Sequence, residues 1–239
     1  MTETIKGSVI LVTGAAGAIA QALIAELRAR GAAKIYAAAR DVSALAASDG
    51  VVPVKMDVTS DDDVAKAASL LGDVTVLINN AGINHNTGFM AAPDLVIARE
   101  EIEINYLAPL RVTKAFAPTL IKNKGAVLNI LTILARVNLP FMGSYCASKA
   151  AGLSLTQGLR GDLSPKGVRV AAALPGAIDT RMTAMLTIPK MTTADAAKEI
   201  FDGFEAGEEE IYVGEMARGL AQGLAHDPKG VERQLASPG

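Results

Sequence analysis

Val9-Ile10-Leu11-Val12-Thr13-Gly14-Ala15-Ala16-Gly17-Ala18-Ile19-Ala20 carries the reading of the fold. An apolar, β-rich run passes into a turn of small residues, and the turn opens into a helical pattern over 19–30 that stops at Gly31. Small residues let the backbone approach a pyrophosphate at a helix N-terminus, where free N–H groups and the helix dipole favour an anion. An ordinary tight strand-to-helix turn would use the same residues, so the loop alone leaves both readings open.

The same alternation continues outward along the chain. Strands are expected at 9–12, 34–38, 52–55, 74–78, 127–131, 168–173 and 211–213, with helices at 19–30, 61–71, 101–122, 145–163 and 193–206. Short β-rich runs separated by longer Ala/Leu-rich stretches are the mark of βαβ units. The expectation is an α/β chain: a single-domain Rossmann fold over residues 1–239, with a doubly wound, seven-stranded parallel sheet and helices on both faces. No repeat, linker or shift of composition marks a second domain. Segments 84–93 and 179–191 fit neither pattern, and each follows a strand at its carboxyl end, where ligands of open α/β sheets bind. They are the candidate substrate loops, and 214–239 reads as a C-terminal tail.

Composition narrows the function classes. Half of the 239 residues are hydrophobic, 4% are aromatic and none is Trp, so the core must be built from Ala, Val, Leu and Ile. A net charge of -2 lacks the basic excess that binding to nucleic acid uses. The single cysteine, Cys146, excludes an intrachain disulfide, and no Cys/His spacing suggests a metal site. The start of the chain is polar and charged, unlike a secretory leader, and no apolar run reaches the roughly 18 residues of a membrane helix. These features fit a soluble protein of the reducing cytoplasm with no membrane partner. Glu208, Glu209 and Glu210 read as a solvated turn.

Tyr145-Cys146-Ala147-Ser148-Lys149 places a phenol and an ammonium four residues apart on one helix face. A phenol titrates near 10, and acid/base work near neutrality asks for a drop of about 3 pH units, which a cation roughly 4 Å away could supply at intermediate dielectric. The pairing is also common on surface helices.

Taken together, the Gly-rich turn, Asn79-Asn80-Ala81-Gly82 after the fourth strand, Asn105 in the next helix and Tyr145 with Lys149 resemble the short-chain dehydrogenase/reductase family in order and interval. The resemblance spans roughly residues 5–213. It implies a Rossmann fold, a nicotinamide cofactor, Tyr145 as acid/base and Lys149 as the partner that lowers its pKa and binds the nicotinamide ribose. It further implies Asn105 as the anchor of a proton relay; the alternative is a satisfied buried amide. Gly14, Ala16, Gly17, Ala18 and Ile19 would hold the diphosphate, and Asn80, Ala81 and Gly82 would line the adenine-ribose side.

This chain departs from the family pattern in two places. Thr132 stands where the family has a catalytic Ser; it keeps the hydroxyl but adds a methyl that stiffens the rotamer and narrows the site. Ser144 is the alternative hydroxyl. Ala18 and Ala20 stand where the pattern has glycines, and each adds a methyl near the diphosphate turn.

Cofactor choice rests on the end of the second strand, Tyr36-Ala37-Ala38-Ala39-Arg40-Asp41. An NAD enzyme usually offers a carboxylate there and an NADP enzyme a cation. Small Ala38 and Ala39 followed by Arg40 point to NADP(H) over NAD(H), with a solvated loop charge as the alternative. Asp57 and Val58 match the pair that reads the adenine ring, unless Asp57 only closes a turn. Pro175, Gly176, Ile178 and Thr180 resemble the turn that holds the nicotinamide carboxamide. His85 could touch substrate or simply be exposed, His226 lies in the tail, and Cys146 reads as packing.

The reading is an NADP(H)-dependent oxidoreductase acting on a small-molecule carbonyl or alcohol, with a cofactor-binding regulator or scaffold of the same fold as the alternative. Apolar Leu107, Leu110, Phe116, Leu153 and Leu159 on the two long helices are candidates for the face of a homodimer or homotetramer, or else for the core.

Overall fold

The computed structural model describes residues 4–43, 45 and 49–236. The first three residues of the polar start and the last three of the tail lie outside it. Seven strands, β1 (Val9–Thr13), β2 (Lys34–Ala39), β3 (Val51–Lys55), β4 (Val76–Asn79), β5 (Ala126–Ile130), β6 (Arg169–Pro175) and β7 (Glu210–Val213), form one sheet in the order β3-β2-β1-β4-β5-β6-β7. Every pairing is parallel, and the order reverses between β1 and β4.

Alternation along β1 explains the two layers. Ile10 and Val12 face one side, where they pack with Leu23, Leu27, Phe201 and Phe204 from α1 (Ala18–Ala29) and α6 (Thr193–Glu205). Leu11 faces the other, with Val112, Phe116, Leu120 and Leu159. Those come from α4 (Ala108–Asn123) and α5 (Gly143–Leu163); α2 (Asp61–Leu70) adds Val64 and Ala67 to the same layer. A sheet covered on both faces needs the continuous apolar strands seen in β4 and β5, which are buried throughout.

Three expectations are corrected. The helix expected over 101–122 is not continuous: α3 (Val96–Ile102) passes through a π turn, Glu103–Leu107, before α4 begins. The tail is helical, as α7 (Gly214–His226) and α8 (Pro228–Ala236), because apolar positions such as Ala217 and Val231 recur at helical spacing and are buried. Phe116, Leu153 and Leu159 belong to the chain's own core and offer no face to a second copy, whereas Leu107 is 36% exposed. Among the described residues no helix is long and apolar enough to cross a membrane.

Candidate active site

The segments that the sequence singles out all leave the carboxyl ends of strands. At β1, Gly14 takes a positive φ of 66°, and a Cβ there would lie 2.8 Å from the Ala81 Cα. Only glycine lets the first loop and the loop after β4 approach this closely. Thr13 joins them: its Oγ1 accepts from the N–H of Asn80 at 3.0 Å and of Ala81 at 3.1 Å, while Asn80 Nδ2 donates to the Thr13 carbonyl at 3.0 Å. Asn79 is structural, bonded through Nδ2 to Thr113 and Asn129 in the buried layer.

Helix α1 starts from Gly17 with no side-chain cap and no acid in its first turn. Ala16, Gly17 and Ala18 are exposed, Ile19 is half-buried, and Ala20 is fully buried against the sheet. The Ala20 methyl therefore packs in the core, and the Ala18 methyl points outward from the turn. Uncapped N–H groups above small, exposed residues suit an anionic group such as a diphosphate.

Arg40 is exposed at the end of β2. Burial would raise the Asp57 carboxyl, but the Thr59 backbone N–H and hydroxyl, with Arg40 and Arg111 nearby, outweigh it and hold Asp57 below the usual carboxylate range. Asp57 Oδ1 accepts from both Thr59 groups, at 2.9 and 2.7 Å, so it does close a turn. Val58 is half-buried and lends its carbonyl to Arg111 at 3.1 Å.

The reactive groups gather where α5 meets the ends of β4 and β5. Tyr145 is 9% exposed, Lys149 5% and Asn105 1%. Lys149 Nζ donates to the Ile130 carbonyl at 3.1 Å and stands 6.0 Å from the centre of the Tyr145 ring. A Cβ on Gly82 would meet Asn105 Oδ1 at 3.1 Å and Lys149 Nζ at 3.3 Å, so the glycine after Asn80-Ala81 is what lets these groups share one place. The π turn presents Asn105, whose Oδ1 accepts from Ile83 N–H and whose Nδ2 donates to the Ile83 carbonyl, both at 2.9 Å. Nδ2 also donates to Ser148 Oγ at 2.9 Å.

Burial acts on both members of the Tyr–Lys pair. Burial, with Cys146 and Glu101 nearby, pushes the Tyr145 phenol well above its ordinary range, and burial lowers the Lys149 ammonium to about 8. Lys149 reaches toward the Tyr145 ring and the Ile130 carbonyl. Cys146 is buried, and burial raises its thiol as well, in keeping with a packing role.

Thr132 follows β5 in extended backbone and is buried; its Oγ1 donates to the Pro175 carbonyl at 3.3 Å and accepts from Leu134 N–H at 3.3 Å. The alternative hydroxyl, Ser144, is turned away: its Oγ donates to Glu101 Oε2 at 2.5 Å. Beyond Pro175 the turn is closed by backbone pairing of Ile178 and Asp179 with Met191, and Thr180 caps the start of a short 3₁₀ helix, Arg181–Thr183. A cleft of about 650 Å³ beside it is lined by Gly176, Ile178, Met191 and Met216 but by none of Asn105, Thr132, Tyr145 or Lys149.

The two irregular segments meet, since Asn86 Nδ2 donates to the Met182 carbonyl at 3.4 Å. They carry exposed Phe89, Met90, Met182, Met185 and Ile188. His85 is exposed and pairs through Nε2 with Glu100 at 3.0 Å, and His226 ends α7 away from these groups. Sequence reasoning missed Glu101, Ser148 and the Ile83 backbone. Ser148 was in view, within the Tyr145–Lys149 stretch, but only the fold shows that it meets Asn105.

Residues 8–190 match the family described as short chain dehydrogenase. A short-chain dehydrogenase of Penicillium ochrochloron is 32% identical over 180 residues, covering 72% of this chain and 66% of that protein, just under two thirds of its length. A short chain dehydrogenase from Burkholderia cenocepacia J2315, solved in complex with NADP, superposes with a TM-score of 0.95 at 43% identity, covering 99% of this chain and 100% of that one. A short chain dehydrogenase/reductase from Burkholderia phymatum, in complex with NAD, has a TM-score of 0.84 at 21% identity, covers 99% and 98% of the two chains, and shares the fold.

Proposed function

The chain belongs to the short-chain dehydrogenase family, and from that premise we propose that it is an NADP(H)-dependent reductase of small carbonyl compounds. The observation that carries this reading is the joint burial of Tyr145, Lys149 and Asn105 around Gly82 at the carboxyl edge of the sheet. Exposed Arg40 at the end of β2 supports NADP(H), and an NADP enzyme more often reduces in the cell, which favours carbonyl reduction.

The residues fit a dinucleotide. Gly14, Ala16, Gly17, Ala18 and Ile19 would hold the diphosphate over the uncapped start of α1. Arg40 would meet a 2′-phosphate, as the NADP in the Burkholderia cenocepacia relative suggests. Asp57 and Val58 would border the adenine, and Asn80, Ala81 and Gly82 its ribose. Tyr145 and Lys149 would meet the nicotinamide ribose, and Pro175, Gly176, Ile178 and Thr180 the carboxamide. Reduced nicotinamide supplies the hydride to the carbonyl carbon.

The rest falls to the chain. Tyr145 donates its proton to the substrate oxygen, and Thr132 donates a hydrogen bond to it after leaving the Pro175 carbonyl. Lys149 steadies the phenolate left behind and with Asn105 connects Tyr145 to solvent; the Asn105 amide also ties the segment beginning at Ile83 to α5 through Ser148. The joined loops 84–93 and 179–191 would close over an apolar substrate, and two or four copies of the chain would form the working assembly. Titrating NADPH and then screening ketones and aldehydes tests the reading. Tight NADPH binding with no oxidation by any carbonyl would overturn it in favour of the regulator.

A further inference from the structure

Glu101 is 1% exposed, yet its carboxylate takes no part in the mechanism above. Oε1 accepts from the backbone N–H of His85 at 2.8 Å, and Oε2 accepts from the Ser144 hydroxyl at 2.5 Å. Among the described residues no cation pairs with it, although Glu100 next to it holds His85 Nε2 at the surface. A carboxylate this buried is costly to keep, so its two hydrogen bonds must return something specific. They join two parts that regular structure leaves apart: the segment after Gly82, which has no ladder or helix of its own, and the first turn of α5, one residue before Tyr145.

We propose that Glu101 is a positioning residue for the reaction, clamping the substrate loop at His85 to Ser144 and so fixing that loop against Tyr145. The inference rests on the carbonyl-reductase reading, and it assigns a role to a residue outside the Asn105, Thr132, Tyr145 and Lys149 set. The π turn supports it. The extra residue that presents Asn105 to Ile83 leaves Glu101, four positions earlier, pointing at His85, so Ile83 and His85 are both fastened from one helical stretch.

The charged and titratable groups around Tyr145 are Lys149 and Cys146 on its own helix and Glu101 on α3, with the His85–Glu100 pair farther out at the surface. Glu101→Gln keeps an acceptor for the His85 N–H while replacing the carboxylate.

The test compares Glu101→Gln, Glu101→Ala and Ser144→Ala in the intact protein with NADPH and an active ketone. For Glu101→Gln, which keeps an acceptor for His85, KM and loop exchange should stay within about threefold of wild type, a rescue by the conservative variant. For Glu101→Ala, KM should rise about tenfold or more because the loop is no longer held. Amide hydrogen exchange over 83–92 should quicken in Glu101→Ala and Ser144→Ala, with β1 and β4 unchanged. Wild-type KM and loop exchange in Glu101→Ala and Ser144→Ala would overturn the proposal, as would a rise of KM in Glu101→Gln equal to that in Glu101→Ala. If the wild type reduces no carbonyl, the functional reading falls, and loop exchange still decides the clamp. If Glu101→Ala does not fold, Ser144→Ala carries the same readout.

Discussion

Lys149 holds its ammonium on the carbonyl of Ile130, at 3.1 Å, in a place that leaves the side chain 5% exposed. Burial lowers its pKa to about 8, against 10.5 for an ordinary lysine. Between those values the unfolded chain binds more protons at this residue than the folded one, so Lys149 makes stability rise with pH through that window; below it the penalty is constant. Tyr145 acts with the opposite sign only above about pH 10, and a Lys149→Met variant shares that term. Urea unfolding should therefore show wild type gaining on Lys149→Met by on the order of 3 kcal/mol between pH 8 and 10.5. A stability difference that does not change with pH would contradict the burial argument.

That pH dependence was not legible in the sequence, and the reason is geometric. Four-residue spacing puts Tyr145 and Lys149 on one face of α5, but it does not say that Ile130 takes the ammonium or that both side chains are enclosed. The seven strands were legible, because apolar runs such as Val9–Thr13 are bounded by turns. The π turn was not, since Glu103–Leu107 has the same apolar periodicity as the α-helices on either side. The clamp through Glu101 escaped for a like reason: a Glu within an acidic helical stretch reads as solvated until the fold brings Ser144 to it.

Arg40 should decide cofactor preference. Its guanidinium is exposed at the end of β2, as a 2′-phosphate partner must be. Arg40→Asp should cost NADPH about tenfold to a hundredfold in affinity, the worth of a charge-assisted hydrogen bond at about 1.5–3 kcal/mol, and should improve NADH in comparison. Dissociation constants for both nucleotides check this. Equal binding of the two by wild type would reduce Arg40 to a loop charge.

Thr132 offers a graded test. Thr132→Ser keeps the donor and should retain at least wild-type kcat. Thr132→Val keeps the shape, deletes the hydroxyl bonded to Pro175 and should lower kcat by about 10²-fold, the range seen when one oxyanion donor is removed. Steady-state rates under saturating NADPH settle it. Full activity in Thr132→Val would leave no role for this hydroxyl, because Ser144 is already engaged by Glu101.

A second copy should be present in solution. Of the five apolar residues considered for an interface, Leu107 is exposed on the π turn and Leu110 is half-buried, while the other three are buried. Light scattering at micromolar concentration should give twice or four times the chain mass, and the monomer mass alone would contradict the proposal.

Tyr145→Phe addresses the centre of the account, because it removes the phenolic proton and conserves most of the volume of a side chain that is only 9% exposed. The variant should fold, bind NADPH with wild-type affinity and lose about 10²–10⁴-fold in kcat for ketone reduction, the usual worth of general acid catalysis. The measurement is NADPH oxidation by wild type and Tyr145→Phe side by side, with cofactor affinity determined on the same samples. Wild-type turnover in Tyr145→Phe would show that the substrate oxygen takes its proton from elsewhere, and the mechanism would be wrong.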